Sequence, residues 1–256
     1  VSGGVFIHNS DGIVNENIAE NFLREVQYPE AKFFYGFQIM MENIHSLMYS
    51  QLIDTLIKNP KEKDECFNAL SLMPAVQKKG EWALNWISSE SFVERLIAFV
   101  AVEGIFFSGS FCSIFWLKTK GLMPGLCLAN EFISKDEATH ADYAIHLLNN
   151  HIVNKPSEDK IKEILLSAFE IEKEFITESL PVSLIGMNKT LMIQYIEYVV
   201  DQLLLQLGCK IEFGSKNPFD FMMQIALDRK NNFFEKRGSN YKKANTGGEL
   251  SFDEEF

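Results

Sequence analysis

The sequence is poor in cysteine, in basic residues and in strand-like segments, and each shortage excludes a kind of protein. Its four cysteines include no Cys-x-x-Cys pair, so in a chain of this size they favour a reducing compartment over a disulfide framework. Lysine and arginine total 24 against 35 acidic residues, and the net charge of −11 argues against binding nucleic acid, which needs clustered basic side chains. No P-loop, dinucleotide fingerprint, Ser-His-Asp arrangement or secretory signal is recognisable.

Short breakers, each with a proline, lie at 58–60, 121–125, 154–157 and 215–218, and the stretches between them have helical character. They predict helices near residues 11–26, 30–57, 61–71, 74–87, 91–119, 125–153, 157–178, 188–211 and 219–227. The sequence therefore predicts an all-α fold, and its apolar content of 46% suffices for a sizeable core.

One segment is long and apolar enough to cross a membrane. Residues 96–117 contain a single charged side chain, Glu103, and a helix of that length spans a bilayer. A carboxylate in the middle of a span is costly, however, and glycines and serines dilute the apolar content. A helix buried on all sides in a bundle has the same profile. We favour the buried helix, because Glu103 then has a metal ion to coordinate.

Metal-ligating residues recur in two similar sets, each a lone carboxylate followed by a Glu-x-x-His pair. The sets are Asp11, Glu42 and His45, then Glu103, Glu137 and His140. Residues three apart lie on nearly the same face of a helix, so each pair aims an oxygen and an imidazole at one point. Four carboxylates and two histidines in this order are the ligand set of a carboxylate-bridged dinuclear site in a four-helix bundle.

Several of the candidates have ordinary structural alternatives. Asp11 is either a ligand or the N-cap of the first helix, and within the four-part pattern we favour the ligand. Tyr49 lies one turn beyond His45, and its position alone fits a core aromatic as well as a redox role. Asp136 is either a hydrogen-bond partner of a ligating histidine or a solvent-facing acid.

The chemistry of such a site depends on its surroundings. Its many carboxylates suit iron or manganese rather than structural zinc, which prefers nitrogen and sulfur ligands. A centre of this kind can reduce O₂. A substrate cavity beside it gives oxygenation, whereas an oxidisable phenol gives a tyrosyl radical. Tyr49 favours the radical.

Longer segments resemble the radical-generating small subunit of class I ribonucleotide reductase, most closely its eukaryotic branch. They are residues 11–17 (DGIVNEN), 30–38 (EAKFFYGFQ), 41–49 (MENIHSLMY), 101–110 (AVEGIFFSGS), 121–125 (GLMPG), 134–140 (SKDEATH), 184–188 (LIGMN), 217–221 (NPFDF) and 232–237 (NFFEKR). The resemblance covers essentially the whole sequence. It implies a ferritin-like helical bundle with a dinuclear metal site between four core helices.

The resemblance also implies site roles by position. One metal ion would be held by Asp11, Glu42 and His45, and the other by Glu103, Glu137 and His140. The ions would be two bridged iron ions, with manganese as the alternative. Tyr49 matches the radical tyrosine, and its apolar shield matches Phe107, Phe111 and Ile133. Asp136 matches the partner of His45 on the radical's exit route, and Tyr241 matches the tail tyrosine that passes the radical on.

The implied organisation is a ferritin-like domain over residues 1–237 and a flexible acidic tail over 238–256. In the family the domain begins earlier, with a tryptophan of the radical route that would precede residue 1 here. Phe252 and Phe256 match the tail residues that anchor on the large subunit. The resemblance further predicts a cytoplasmic homodimer without nucleic-acid or membrane partners.

The implied function is that of the small subunit of ribonucleoside-diphosphate reductase. Its di-iron centre activates O₂ and generates a tyrosyl radical, which the large subunit uses to reduce ribonucleotides to deoxyribonucleotides. Two alternatives stay open. One is a di-iron oxidase or oxygenase of the same fold, and the other is a radical-deficient regulatory or iron-binding partner subunit.

Overall fold

The computed structural model of this chain describes residues 15–179 and 186–223, and within these ranges the regular structure is helical, without a β-strand. Two π-helical turns, π1 (Ile18–Phe22) and π2 (Val102–Phe106), accompany the α-helices. The α-helices are α1 (Leu23–Glu25), α2 (Pro29–Leu56), α3 (Pro60–Phe67), α4 (Ala69–Leu72), α5 (Pro74–Ile87), α6 (Phe92–Ala101), α7 (Ser108–Thr119), α8 (Pro124–Asn150), α9 (Glu158–Ser179) and α10 (Lys189–Gln206). The predicted all-α fold is confirmed.

Local chemistry explains where these helices begin. Helices α2, α3, α5 and α8 each start with proline, whose fixed φ suits the first helical position and whose missing N–H costs nothing there. Side-chain caps mark other starts. The side chain of Asn59 accepts from the Lys61 amide at 2.9 Å, and that of Asn188 accepts from the Leu191 amide at 3.0 Å.

Four predicted helices differ in pattern from the observed ones. The described part of the predicted helix 11–26 contains the π1 turn. The predicted helix 61–71 divides at Asn68, whose φ of −103° and ψ of 21° leave the helical region. The predicted helix 91–119 contains π2 and a turn at Phe107. The predicted helix 188–211 stops at Gln206, because Gly208 adopts φ +77° and the Cys209 amide returns to the Leu204 carbonyl at 2.8 Å.

The π2 turn lies at the centre of the packing. It contacts α8, α9 and α10 as well as the helices on either side of it in the chain, while α2 packs on α8 and α9 packs on α5, α6 and α10. The continuous run Phe92–Thr119 has the length and hydropathy of a membrane span, but 89% of its most apolar window is buried inside the molecule. Its apolar side chains therefore face protein, as those of a core helix do.

Candidate metal centre

One face of α2 carries a polar group within an otherwise apolar buried stripe. The stripe advances by steps of three or four residues, as a single helical face does. Its buried members are Ala31, Tyr35, Gln38, Glu42, His45, Tyr49 and Ile53. The middle of this face is directed at α8, which packs against α2. The sequence thus places a carboxylate, an imidazole and a phenol side by side in the interior.

Helix α8 presents a corresponding face. Its buried polar residues are Asn130, Ser134, Glu137 and His140. Glu103 is contributed by π2, which contacts α8, and its side chain is only 4% exposed. Unpaired buried charge is costly, so three buried carboxylates on adjoining elements require cations or protons.

Four of the six predicted ligands converge on one buried point. Glu42, Glu103, Glu137 and His140 each offer one ligand atom, and these atoms all lie within 4.8 Å of one another. His45 adjoins the group, with its Nδ1 atom 3.2 Å from Glu42 Oε2 and 3.0 Å from Glu137 Oε1. Asp11, the sixth predicted ligand, lies outside the described residues.

Both imidazole rings lie within ion-pair distance of these carboxylates and can balance their negative charge. Nδ1 of His140 is 2.9 Å from Glu42 Oε1 and 3.0 Å from Glu137 Oε2. Burial by itself would lower the pKa of His45, but hydrogen bonds with three carboxylates, first among them Asp136, raise it to about 12. Burial likewise opposes charging of His140, yet hydrogen bonds with Glu137 and Glu42 raise its pKa to about 9.

This electrostatic pattern fits metal ions. Burial would raise the pKa of Glu137, but the nearby imidazoles of His140 and His45 hold that pKa well below its usual range. The pocket is therefore anionic enough to keep both imidazole rings in their doubly protonated, positively charged form. Hard divalent cations such as Fe²⁺ and Mn²⁺ favour this donor set of carboxylate oxygens and imidazole nitrogens. In both rings the Nδ1 atom already faces the carboxylates.

The second ring nitrogen of His45 makes a contact on the side away from the cluster. Its Nε2 atom lies 3.0 Å from Asp136 Oδ2, and the Asp136 side chain is 32% exposed. The ring therefore bridges the buried cluster and a carboxylate that reaches solvent. Metal-bound imidazoles commonly use their second nitrogen in this way, which fixes the ring's orientation. Of the two sequence alternatives for Asp136, this contact favours the partner of a ligating histidine.

Tyr49 is buried and hydrogen-bonded. Its hydroxyl donates to Asn130 Oδ1 at 2.6 Å, and Asn130 Nδ2 in turn donates to the Leu126 carbonyl at 2.9 Å. The predicted apolar shield is buried in the same core as Tyr49 and consists of Phe107, Phe111 and Ile133. The ring of Phe107 meets that of Phe111 edge-on at 6.3 Å. Tyr241, Phe252 and Phe256 lie outside the described residues.

Sequence reasoning missed two polar residues of the site. Gln38 and Asn130 are both fully buried, and Gln38 Nε2 donates to Glu42 Oε1 at 3.4 Å. The available signal was helical spacing. Gln38 precedes Glu42 by four residues, and Asn130 precedes Glu137 by seven, which puts each on the ligand face of its helix.

A cavity of about 530 Å³ adjoins the cluster between π2, α8 and α10. Its lining includes Glu103, Ser134, Glu137, Tyr195 and Leu203. Cavities of this size commonly hold small molecules in proteins. Two of the candidate ligands therefore face a space as well as each other.

A helical bundle whose central elements bring carboxylates and imidazoles to one buried point belongs to the ferritin-like class of dinuclear metal proteins. Comparison with known proteins narrows this class, because residues 5–218 match the family described as ribonucleotide reductase, small chain. The chain belongs to this family, as its sequence motifs predict.

Individual relatives agree with the family match. Ribonucleoside-diphosphate reductase subunit M2 of Homo sapiens is 60% identical over 240 residues, which are 93% of this chain and 61% of that protein. The ribonucleotide reductase Rnr4 homodimer from Saccharomyces cerevisiae is 39% identical, with a TM-score of 0.72, covering 89% of this chain and 76% of that one. The R2 subunit from Clostridium botulinum shares the fold, with a TM-score of 0.79 at 21% identity, covering 88% of this chain and 75% of that one. The chain thus spans 61% of the length of its human relative.

Proposed function

We propose that this chain acts as the small subunit of a ribonucleoside-diphosphate reductase and forms a tyrosyl radical on Tyr49. The observation that carries the proposal is the buried convergence of Glu42, Glu103, Glu137 and His140, with Tyr49 on the same helical face as Glu42. Family membership supports the activity, although the chain spans 61% of the length of its human relative.

The ligands divide into two sets. Asp11, Glu42 and His45 would hold one ion, and Glu103, Glu137 and His140 the other. When bound, two iron ions supply the reduction of O₂ and the oxidising power for the phenol, and manganese fits the same donors. Glu42 and Glu137 each contact both imidazoles, so either carboxylate would be within reach of both ligand sets.

The residues around Tyr49 hold the phenol and exclude water. Asn130 accepts the phenol's hydrogen bond and is itself fixed by the Leu126 carbonyl. Tyr49 is 1% exposed, so solvent reductants have no direct access to its ring. A radical on this ring is shielded by the surrounding apolar core, to which Phe107 and Phe111 belong.

The route out of the site and the partner are part of the same proposal. The contact of His45 Nε2 with Asp136 supports an exit toward the surface, because the Asp136 side chain is part-exposed. Beyond the described residues, Tyr241 would pass the radical on. The tail of 238–256 would anchor on a large subunit through Phe252 and Phe256, and residues 1–237 would form the metal-binding domain.

We also propose that the chain is cytoplasmic and forms a homodimer, and the outer face of α2 supports the homodimer. Opposite the ligand stripe, large apolar side chains are 47–74% exposed along one line. They form the outer stripe, which consists of Phe33, Phe37, Met40, Ile44 and Leu47. The yeast relative that is 39% identical was solved as a homodimer. An exposed apolar face of this kind marks an interaction site.

The proposal is tested by electron paramagnetic resonance after anaerobic Fe(II) loading and exposure to O₂. We expect a tyrosyl doublet that is absent in Tyr49→Phe, with the amount of bound iron unchanged. Tyr143→Phe is the matched control, because Tyr143 is a part-buried tyrosine stacked on Phe34 at 3.7 Å, and it should retain the doublet. A doublet that persists in Tyr49→Phe would assign the radical elsewhere.

The cavity beside Glu103 and Glu137 favours one other function, a di-iron oxidase or oxygenase. That enzyme would consume O₂ with an organic substrate and would tolerate removal of the tail. The proposed subunit would instead lose its activity with a large subunit when the residues from 250 onward are removed, while keeping its metal ions. Metal binding without any radical would point to the regulatory or iron-binding alternative.

A further inference from the structure

A buried lysine that the proposed chemistry does not use contacts the element carrying Glu103. Lys79 on α5 and Glu172 on α9 are both fully buried and form an ion pair. Lys79 Nζ also donates a hydrogen bond of 3.0 Å to the carbonyl of Phe106, the last residue of π2. Its ammonium lies 3.7 Å from the centroid of the Phe175 ring. The cation is thus surrounded by a carboxylate, a carbonyl and an aromatic face.

Stability is a weak explanation for this pair. Replacing both members of a buried ion pair by apolar residues is often neutral, whereas removing one member is strongly destabilising. Burial lowers the pKa of Lys79 to about 8 and raises the pKa of Glu172 to about 7, in each case against the attraction of the partner. The feature that distinguishes the pair is its hydrogen bond to π2.

The π2 turn interrupts the α-helical hydrogen-bond ladder, and such interruptions are concentrated at functional sites. Where the ladder changes pattern, side chains can bond to backbone carbonyls. Here Ser108 Oγ donates to the Ile105 carbonyl at 2.7 Å, and Lys79 donates to the next carbonyl, that of Phe106. Glu103 lies in the same turn, three residues before Phe106. Two consecutive carbonyls of the turn that carries Glu103 are therefore held by side chains.

We propose that Lys79, held by Glu172, is a positioning residue that fixes the π2 turn and thereby aims Glu103 at the metal centre. Lys79 reaches π2 from the α5 and α9 side, whereas Glu103 meets Glu137 and His140 of α8. This inference rests on the proposed metal centre, because Glu103 has a required position only as a ligand.

The test compares two variants that both lack the ion pair, Glu172→Leu and Lys79→Met/Glu172→Leu. Only the first retains an amine that donates to Phe106, and burial favours the neutral amine at mildly alkaline pH. Mn(II) alone is the probe. The loss of its free-ion paramagnetic resonance signal measures how many ions are bound, and the spectrum of a coupled pair reports their geometry. We expect the double variant to bind Mn(II) about 10–100-fold more weakly and to lose the coupled spectrum. Glu172→Leu, whose amine can still donate to Phe106 but is no longer held by a carboxylate, should show a smaller loss of both.

A second buried cation provides the matched control. Arg95 is 4% exposed, pairs with Glu25 and donates to the Ser89 carbonyl, which precedes α6 and lies outside π2. Arg95→Met/Glu25→Leu should lower stability without changing Mn(II) binding. A Lys79→Met/Glu172→Leu protein with the wild-type affinity and coupled spectrum would overturn the positioning role and leave the metal centre standing. A wild-type chain that binds no Mn(II) would overturn the centre, and the positioning role with it.

A smaller substitution tests the positioning role of Lys79 if the double variant does not fold. A Cβ at Gly109 would lie 2.5 Å from Glu172 Oε1, so Gly109→Ala displaces the carboxylate that holds Lys79. Gly125→Ala is its control, because a Cβ there meets nothing within 4 Å. We expect weaker Mn(II) binding and an altered coupled spectrum in Gly109→Ala alone. Unchanged binding and spectrum in both variants would refute the positioning role.

Discussion

Two imidazoles decide how this site responds to pH. The raised pKa values of His45, about 12, and His140, about 9, mean that both rings are doubly protonated, and so positively charged, in the metal-free chain at neutral pH. A ligating imidazole is neutral, so metal binding must displace these protons. We therefore expect Mn(II) affinity to rise with pH, by about tenfold per pH unit for each proton displaced.

The measurement is Mn(II) affinity between about pH 6 and pH 8, together with proton release in weakly buffered solution. His146→Gln is the control, because His146 is exposed outside the cluster, and it should keep the slope. The stability of the metal-free fold changes with pH in the opposite direction to the Mn(II) affinity. Raised folded-state pKa values stabilise it fully below the ordinary value of 6.5, and the part due to His140 is lost as the pH rises through about 9. An affinity independent of pH would contradict the protonated rings.

Individual site residues differ in how far the sequence reveals them. Glu42 and Glu137 are recognisable because their i, i+3 histidines make a pattern that is rarely repeated by chance. Asn130 carries only the weaker signal of its spacing from Glu137, since a lone asparagine in a helix is usually exposed. Its contact with Tyr49 joins residues 81 apart in sequence, and only the packing of α2 on α8 creates it.

The helical elements show the same division between local and tertiary causes. Proline-led starts such as that of α8 and the end of α10 at Gly208 follow from residues within a few positions. The π2 turn does not, because the apolar run continues through 96–117 with Glu103 as its one charged side chain. Its contacts come from distant helices, with Lys79 at the Phe106 carbonyl and Leu203 against Gly104. A single-sequence prediction therefore gives one continuous helix there.

The close approach of α10 to π2 makes a testable element-level prediction. A Cβ at Gly104 would lie 2.8 Å from Leu203 Cδ1, so Gly104→Ala should destabilise the fold by about 1–3 kcal/mol through overpacking. Leu203→Ala alone should cost about 2–5 kcal/mol through the space it leaves. In the double variant the new methyl group partly fills that space, so the combined cost should be clearly less than the sum. Urea unfolding measures all three, and strict additivity would show that the two side chains do not meet.

At the scale of the whole molecule, α2 has two faces with different proposed roles. Its inner face carries the candidate ligands Glu42 and His45, and its outer face carries the outer stripe of exposed apolar side chains. A stable homodimer needs roughly 1,200 Å² or more of buried surface, and this long helix supplies an apolar strip along much of its length. Dimerisation through this stripe would therefore place the partner directly behind the metal ligands.

Ile44 tests this arrangement, because it belongs to the outer stripe and lies between Glu42 and His45 in the sequence, on the opposite face of α2. Ile44→Glu should convert the dimer to a monomer, since it buries a charge where each apolar side chain would otherwise contribute about 1.5–3 kcal/mol. Light scattering after size exclusion measures the mass. Asn85→Glu adds the same charge at an exposed position of α5, off the outer stripe, and should remain dimeric. If Ile44→Glu stays dimeric, the interface lies elsewhere. If it is monomeric and also binds Mn(II) more weakly, α2 transmits the dimer contact to its ligand face.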